Sequence, residues 1–172
     1  GTGGTLKRAL DTIDKLARAM VVVVRVAEGE DDEDTTANII GTVLESGKKT
    51  GLKALLSAEQ KLGVKPRLLG VPELDTPSVT AELIIIAKKL RAFCYASCFE
   101  CETKEDAVEY RDDFSARELM LLWPNVMSVA PGAALPSECS AVAFALGLRA
   151  QIDTNVGWHK TLSNVVIDGA LG

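Results

Sequence analysis

PRLLGVPELDTPSVTAELIIIAKKLRAFCYAS, residues 66–97, decides the fold. Pro66 to Val71 is a short apolar run closed by Pro72, which reads as a strand. Thr76-Pro77-Ser78 then opens a helix over Ser78 to Arg91, with Pro77 at a position whose missing N–H would have had no partner anyway. Leu83-Ile84-Ile85-Ile86-Ala87 is apolar nearly all round, so much of this helix is expected to be enclosed. Ala92 to Ser97 follows as another strand. Strand, helix and strand over this length form a crossover unit of a parallel sheet.

The same alternation extends outward from this unit. Upstream, Leu6, Leu10, Ile13 and Leu16 recur at helical spacing, so Thr5 to Ala19 is a predicted amphipathic helix. Met20 to Val26 is valine-rich and apolar on both faces, as expected of a strand covered on both sides. The acidic run Glu28 to Asp34 reads as a solvated loop, because like charges repel and resist burial. Thr35 or Thr36 is a candidate cap for a helix to about Leu44, and Leu52 to Gln60 reads as a short helix. Downstream, Thr103 and Asp106 have the spacing of a capping box before a helix over Lys104 to Phe114. Leu119 to Trp123 reads as a strand stopped by Pro124, Ser137 or Glu138 to Ile152 as a final apolar helix, and Val165 to Ile167 as a fifth strand. The expected architecture is one α/β domain over residues 1–172. Its sheet is mainly parallel, has about four to five strands and carries helices on both faces.

Composition narrows the function. At 172 residues the chain suits one well-buried domain. A net charge of −5 and a pI near 5.0 disfavour a nucleic-acid surface, which is normally basic. No apolar run approaches the roughly 18–20 residues that cross a bilayer, so membrane insertion is not expected. The opening Gly1-Thr2-Gly3-Gly4 has no basic region leading into an apolar one and does not start with Met, as expected of a piece of a longer polypeptide. Cys94, Cys98, Cys101 and Cys139 include one Cys-x-x-Cys but no second pair and no paired histidine. Buried thiols are therefore favoured over a zinc or redox centre, and synthesis in a cytoplasm is the matching expectation.

Other motifs also resolve toward structure. Gly47-Lys48-Lys49-Thr50 lacks the glycine spacing of a phosphate loop, has Lys49 where serine or threonine is needed, and follows a helix instead of a strand. The acidic run lacks the glycine and the terminal glutamate of a calcium loop. Gly1 to Gly4 has no strand before it and reads as a flexible lead-in. Trp123-Pro124-Asn125 ends a strand, a generic position for a ligand cleft. His159 is the single histidine and thus the obvious candidate for proton transfer, but it would need Asp153, Asp168 or a distant carboxylate to orient it. The plainer reading is a surface or interface histidine beside Trp158.

Several segments in order resemble the central part of contractile tail sheath proteins of long-tailed phages, prophages and phage-tail-like bacteriocins. They are Gly4 to Leu6, Val22 to Gly29, Lys49 to Leu56, Leu62 to Leu69, Lys89 to Phe93, Leu119 to Pro124, Gly147 to Ala150 and Gly157 to Val165. Members of that family are far longer, with an N-terminal arm and a further C-terminal domain and arm that this chain does not include. The resemblance implies a structural subunit, not an enzyme, with no catalytic residue, metal or cofactor. It implies hexameric rings stacked around a tail tube, contacts with tube protein, baseplate and tail terminator, and contraction without nucleotide hydrolysis. It also implies a place in the virion tail after assembly in the host bacterial cytoplasm, with no direct nucleic-acid contact. The 172-residue piece alone is expected to be monomeric, with Trp158, His159 and Lys160 as possible inter-subunit contacts. Two further readings remain beside it: a small α/β enzyme with a site near Trp123 and His159, and a phospholigand-binding module using Ser46 to Thr50.

Overall fold

The computed structural model of the chain describes residues 5–129, 135–167 and 170–171. Helix α1 (Thr5–Leu16) and α2 (Asp32–Ile40) lead to a 3-10 segment (Gly51–Ser57) and the short α3 (Ala58–Leu62). Then come β1 (Leu68–Gly70), α4 (Pro77–Leu90), β2 (Phe93–Ser97), α5 (Lys104–Asp112) and β3 (Leu119–Leu122). The remainder is β4 (Val126–Ser128), β5 (Ser137–Cys139), α6 (Ala141–Asn155) and β6 (Ala170–Leu171).

The deciding stretch folds as its pattern requires. β1, β2 and β3 are parallel neighbours in that order, with Leu69 opposite Cys94 and Cys94 opposite Leu119. Because strand side chains alternate, each strand feeds two cores. Leu69 and Cys94 join Val79, Leu83, Ile86 and Leu90 of α4, together with Ile39, Leu52 and Leu55. Tyr95, with Leu68 and Phe93 beside it, joins Val142 and Ala145 of α6 on the opposite face. The strands have helices on both faces, and α4 is wrapped by the sheet on one side and by α2 and the 3-10 segment on the other. Thr76 caps α4 by accepting the Val79 N–H, and Thr103 with Asp106 forms the capping box that opens α5.

The α/β class holds, but the strands divide between two sheets. β4 pairs antiparallel with β5 on one side and with β6 on the other. Residues 137–139 are therefore a strand, and the last helix starts only at Ala141. Asn125 supports that start from outside, its side-chain oxygen accepting the Ala141 N–H at 3.1 Å. The expected strand Val165 to Ile167 is irregular, and the ladder to β4 instead uses Ala170 and Leu171. Among the described residues Met20 to Val26 enters no ladder, and of this run Val22 and Val24 pack against the α4 core. A valine run sets extended backbone, but a strand needs a partner, which a local pattern does not name. The acidic run is also partly helical: Asp31 caps α2 by accepting the Asp34 N–H at 2.7 Å. Asp32, Glu33 and Asp34 then occupy the first turn, where the positive end of the helix dipole favours them.

Helix α1 lies against α6 through Ala9, Thr12, Ile13 and Leu16. Their closest approach is at Gly147, where an added Cβ would stand 3.1 Å from Ile13 Cα and 3.0 Å from Leu16 Cδ1. Gly147→Val should therefore force α1 outward, lowering stability in urea unfolding by roughly 1–3 kcal/mol. Val108→Ala on exposed α5 should change it by less than about 0.5 kcal/mol.

Candidate functional site

The segment after α6 is built around one buried cation. Arg149 follows the apolar first eight residues of α6, Ala141 to Leu148, and is only 9% exposed. Four residues on, one turn away, the Asp153 carboxylate accepts from its guanidinium at 2.7 Å. The same guanidinium donates to the carbonyls of Gly157, at 3.2 Å, and of Lys160. A planar group with several donors can hold two loop carbonyls and a carboxylate at once, which a lysine ammonium would do less rigidly. Backbone N–H groups of Val156 and Gly157 both reach Ile152 O at 2.8 Å and close the helix end. Beyond the loop, Leu162, Val165 and Ile167 pack back onto Leu16, Phe144, Leu148 and Ile152.

The loop is thus held at both ends while its tip faces outward. Trp158 is 86% exposed, and His159 and Lys160 are exposed beside it. The Trp158 and His159 rings meet edge to face at 6.4 Å and 85°. At Gly157, φ is +122°, and a Cβ would come within 3.1 Å of the His159 ring. Trp158 therefore presents its indole to water from a loop pinned through the buried Arg149 guanidinium.

The enzyme reading finds no such convergence. Asp153 is engaged by Arg149, not by His159, and Asp168 lies outside the described residues. Trp123 stands near the N-terminal end of α6, two residues before the Asn125 that caps it, whereas His159 lies beyond the C-terminal end. The Trp123 indole donates to Cys101 O at 2.9 Å. Ser46 to Thr50 is the turn of a small hairpin: Leu44 N–H donates to Lys48 O and Thr50 N–H to Thr42 O, both at 2.9 Å. Those amides are used within the hairpin and do not converge on a phosphate position.

Asp75, at the C-terminal edge of the parallel sheet, was not legible as a site residue. It is nearly fully buried, and its carboxylate accepts from the Ser97 N–H and, at 2.9 Å, from the Ser97 hydroxyl. It thereby ties the β1–α4 connection to the end of β2. Burial raises its carboxyl above the ordinary value, against the opposing pull of the Ser97 hydrogen bonds. Cys98 next to it is pushed up to about 11 by burial, with Cys101 and Asp75 adding to the rise, and Cys94 to about 12 by burial. Thiols held so far above neutrality are poor nucleophiles. This edge is a latch. The only local signal for it was Leu74-Asp75-Thr76-Pro77, a polar pair just before a helix start; for Arg149 it was a lone cation after the apolar run Ala141 to Leu148, with Asp153 one turn on.

The fold is α/β, with an outward aromatic loop after α6. Residues 47–172 match the family described as the phage tail sheath protein central domain, and the chain belongs to that family. It is 46% identical over 178 aligned positions to the tail sheath protein of Escherichia phage P2, covering all of this chain and 45% of that protein. It is 49% identical over 175 positions to the major tail sheath protein of Serratia phage KSP20, covering all of this chain and 44% of the relative. A putative prophage major tail sheath protein of Pseudomonas aeruginosa strain UCBPP-PA14 is 31% identical over 173 positions. The chain spans less than half the length of these relatives.

Arg149→Met keeps the apolar stem but removes the guanidinium's hydrogen bonds to the loop. It should lower stability by roughly 1–3 kcal/mol and speed amide exchange at residues 157–160. Unchanged exchange there would show that the loop is held by other means. The Asp75 proton is held more tightly in the folded state than in the unfolded chain, so ionisation removes stability as pH rises from below 3.8 through the raised folded value. In urea unfolding across that range, wild-type stability relative to Asp75→Asn should fall with rising pH and then level off.

Proposed function

We propose that residues 1–172 form one α/β block, the folded middle of a contractile tail sheath subunit that works by packing and shifting against its copies. The family match over residues 47–172 carries this reading, together with near-half identity to phage sheath proteins along the whole chain. In the intact polypeptide such blocks would form hexameric rings stacked around the tail tube, bounded by baseplate and tail terminator. The assembled structure belongs to the virion tail and is put together in the host bacterial cytoplasm. Contraction needs no catalytic residue, metal or cofactor in this scheme. It draws on two packings of the same blocks that differ in contact free energy.

Trp158, His159 and Lys160 are the proposed inter-subunit contact. An exposed tryptophan on a preorganised loop loses little conformational freedom when a partner covers it, and buried aromatics dominate interface energetics. The Arg149 clamp supplies that preorganisation. A subunit that must move as a rigid body gains from a contact loop fixed to its longest helix, because displacement of the block is then transmitted to the neighbour.

The test uses the full-length sheath polypeptide. Expressed alone, it should form rings or tubes visible by negative-stain microscopy; a polypeptide that never polymerises would overturn the sheath reading. Trp158→Ala should leave the stability of the 172-residue chain within about 0.5 kcal/mol. In the full polypeptide it should weaken polymerisation by roughly 30-fold or more in sedimentation, the effect of a hot spot of about 2 kcal/mol. Tubes that assemble equally well with alanine there would remove this loop from the interface.

A further inference from the structure

We infer that Met20–Val26 is an acceptor edge for a β-strand supplied by the same sheath polypeptide from outside these 172 residues; the inference rests on the family reading. The segment has the alternation of a strand without a ladder. Val22 and Val24 point into the α4 core, while Met20, Val21, Val23 and Val26 are exposed, Met20 to 79%. Among the described residues, no backbone N–H or C=O from Met20 to Val26 is hydrogen-bonded to another protein group. Seven consecutive residues outside any helix or strand, with alternating burial and with backbone donors and acceptors unpartnered among the described residues, form a template for strand addition. The residues on either side are anchored: Ala19 N–H donates to Ala17 O, and the Asn38 side chain donates to Ala27 O. The free stretch is therefore bounded.

Beside it runs a groove of about 290 Å³, lined by Val22, Val24 and Arg25 with Leu55, Lys61 and Leu62. The floor is apolar, and the rim carries two cations that form no ion pair among the described residues. The matching occupant is an extended segment, apolar at alternate residues, with a carboxylate to face Arg25 or Lys61. The curated relatives have more than as many residues again outside the matched region, so chain enough to supply one exists. Residues 20–26 also precede the stretch that matches the central domain, as a segment joining this block to another part of the polypeptide would.

The same polypeptide is the source favoured here over a neighbouring subunit. Val22 and Val24 are part of the subunit's own main core. A strand that arrived only on assembly would leave an apolar edge bare on every free subunit, a predisposition to uncontrolled pairing.

Hydrogen exchange with mass spectrometry should be compared in the 172-residue chain, the unassembled full-length polypeptide and the polymer. Amides 20–26 should exchange rapidly in the 172-residue chain and at least about 100-fold more slowly in the unassembled full-length protein, as for an amide brought into a stable ladder. Protection that appears only in the polymer would assign the strand to a neighbour and overturn the inference. Rapid exchange in all three states, or protection already in the short chain, would overturn it as well. Val23→Pro should leave the unfolding midpoint of the short chain unchanged, because that N–H has no partner to lose, and should abolish protection in the full-length protein. Equal destabilisation of both would refute the added ladder. These readings on unassembled protein are independent of whether tubes form.

Discussion

Helix α6 can occupy its place only because two glycines leave room, one on the neighbouring β1 and one on the helix itself. At Gly70 of β1, a Cβ would stand 2.8 Å from Val142 Cγ1 and 3.0 Å from Leu146 Cδ1. At Gly147, the helix's own missing side chain admits α1. Seated between the parallel sheet and α1, α6 closes one face of the domain through Val142, Phe144, Ala145 and Leu148. Dense packing of this kind resists deformation, since each side chain sits against several fixed neighbours. The loop that follows inherits that rigidity through Arg149.

The two buried charged groups serve comparable ends. Asp75 ties the β1–α4 connection to the end of β2, and Arg149 ties the Trp158 loop to α6. Each places hydrogen bonds on backbone or a neighbouring side chain at a junction between elements, although the buried Arg149 Nε has no partner among the described residues. Buried polar groups bonded in this way specify one arrangement of the parts they join. On the proposed function, a block that keeps its shape while its contacts change would require that specificity more than extra stability.

The surface divides accordingly. One end presents a fixed aromatic tip at Trp158, suited to side-chain contacts that can be remade. Met20 to Val26 presents unpaired backbone, suited to a main-chain ladder that persists. On the proposed reading, a ladder formed within one polypeptide would complete the block, while the aromatic contact between blocks could be remade.

Local pattern determined much of this protein. The order Leu68–Gly70, Pro77–Leu90, Phe93–Ser97 and Leu119–Leu122 was legible because apolar periodicity, Pro77 and the Thr103–Asp106 box are short-range signals. The segment Trp158 to Lys160 was visible as a rare composition. Long-range partners were not legible. Whether Met20 to Val26 lies in a sheet, whether Ser137 to Cys139 begins a helix or pairs with Val126 to Ser128, and where Arg149 and Asp75 send their hydrogen bonds depend on residues distant in sequence. A chain segment encodes its own backbone preference through sterics and side-chain periodicity. Only the folded whole decides what each hydrogen-bonding group finds opposite it, because that is a property of two segments brought together and not of either one alone.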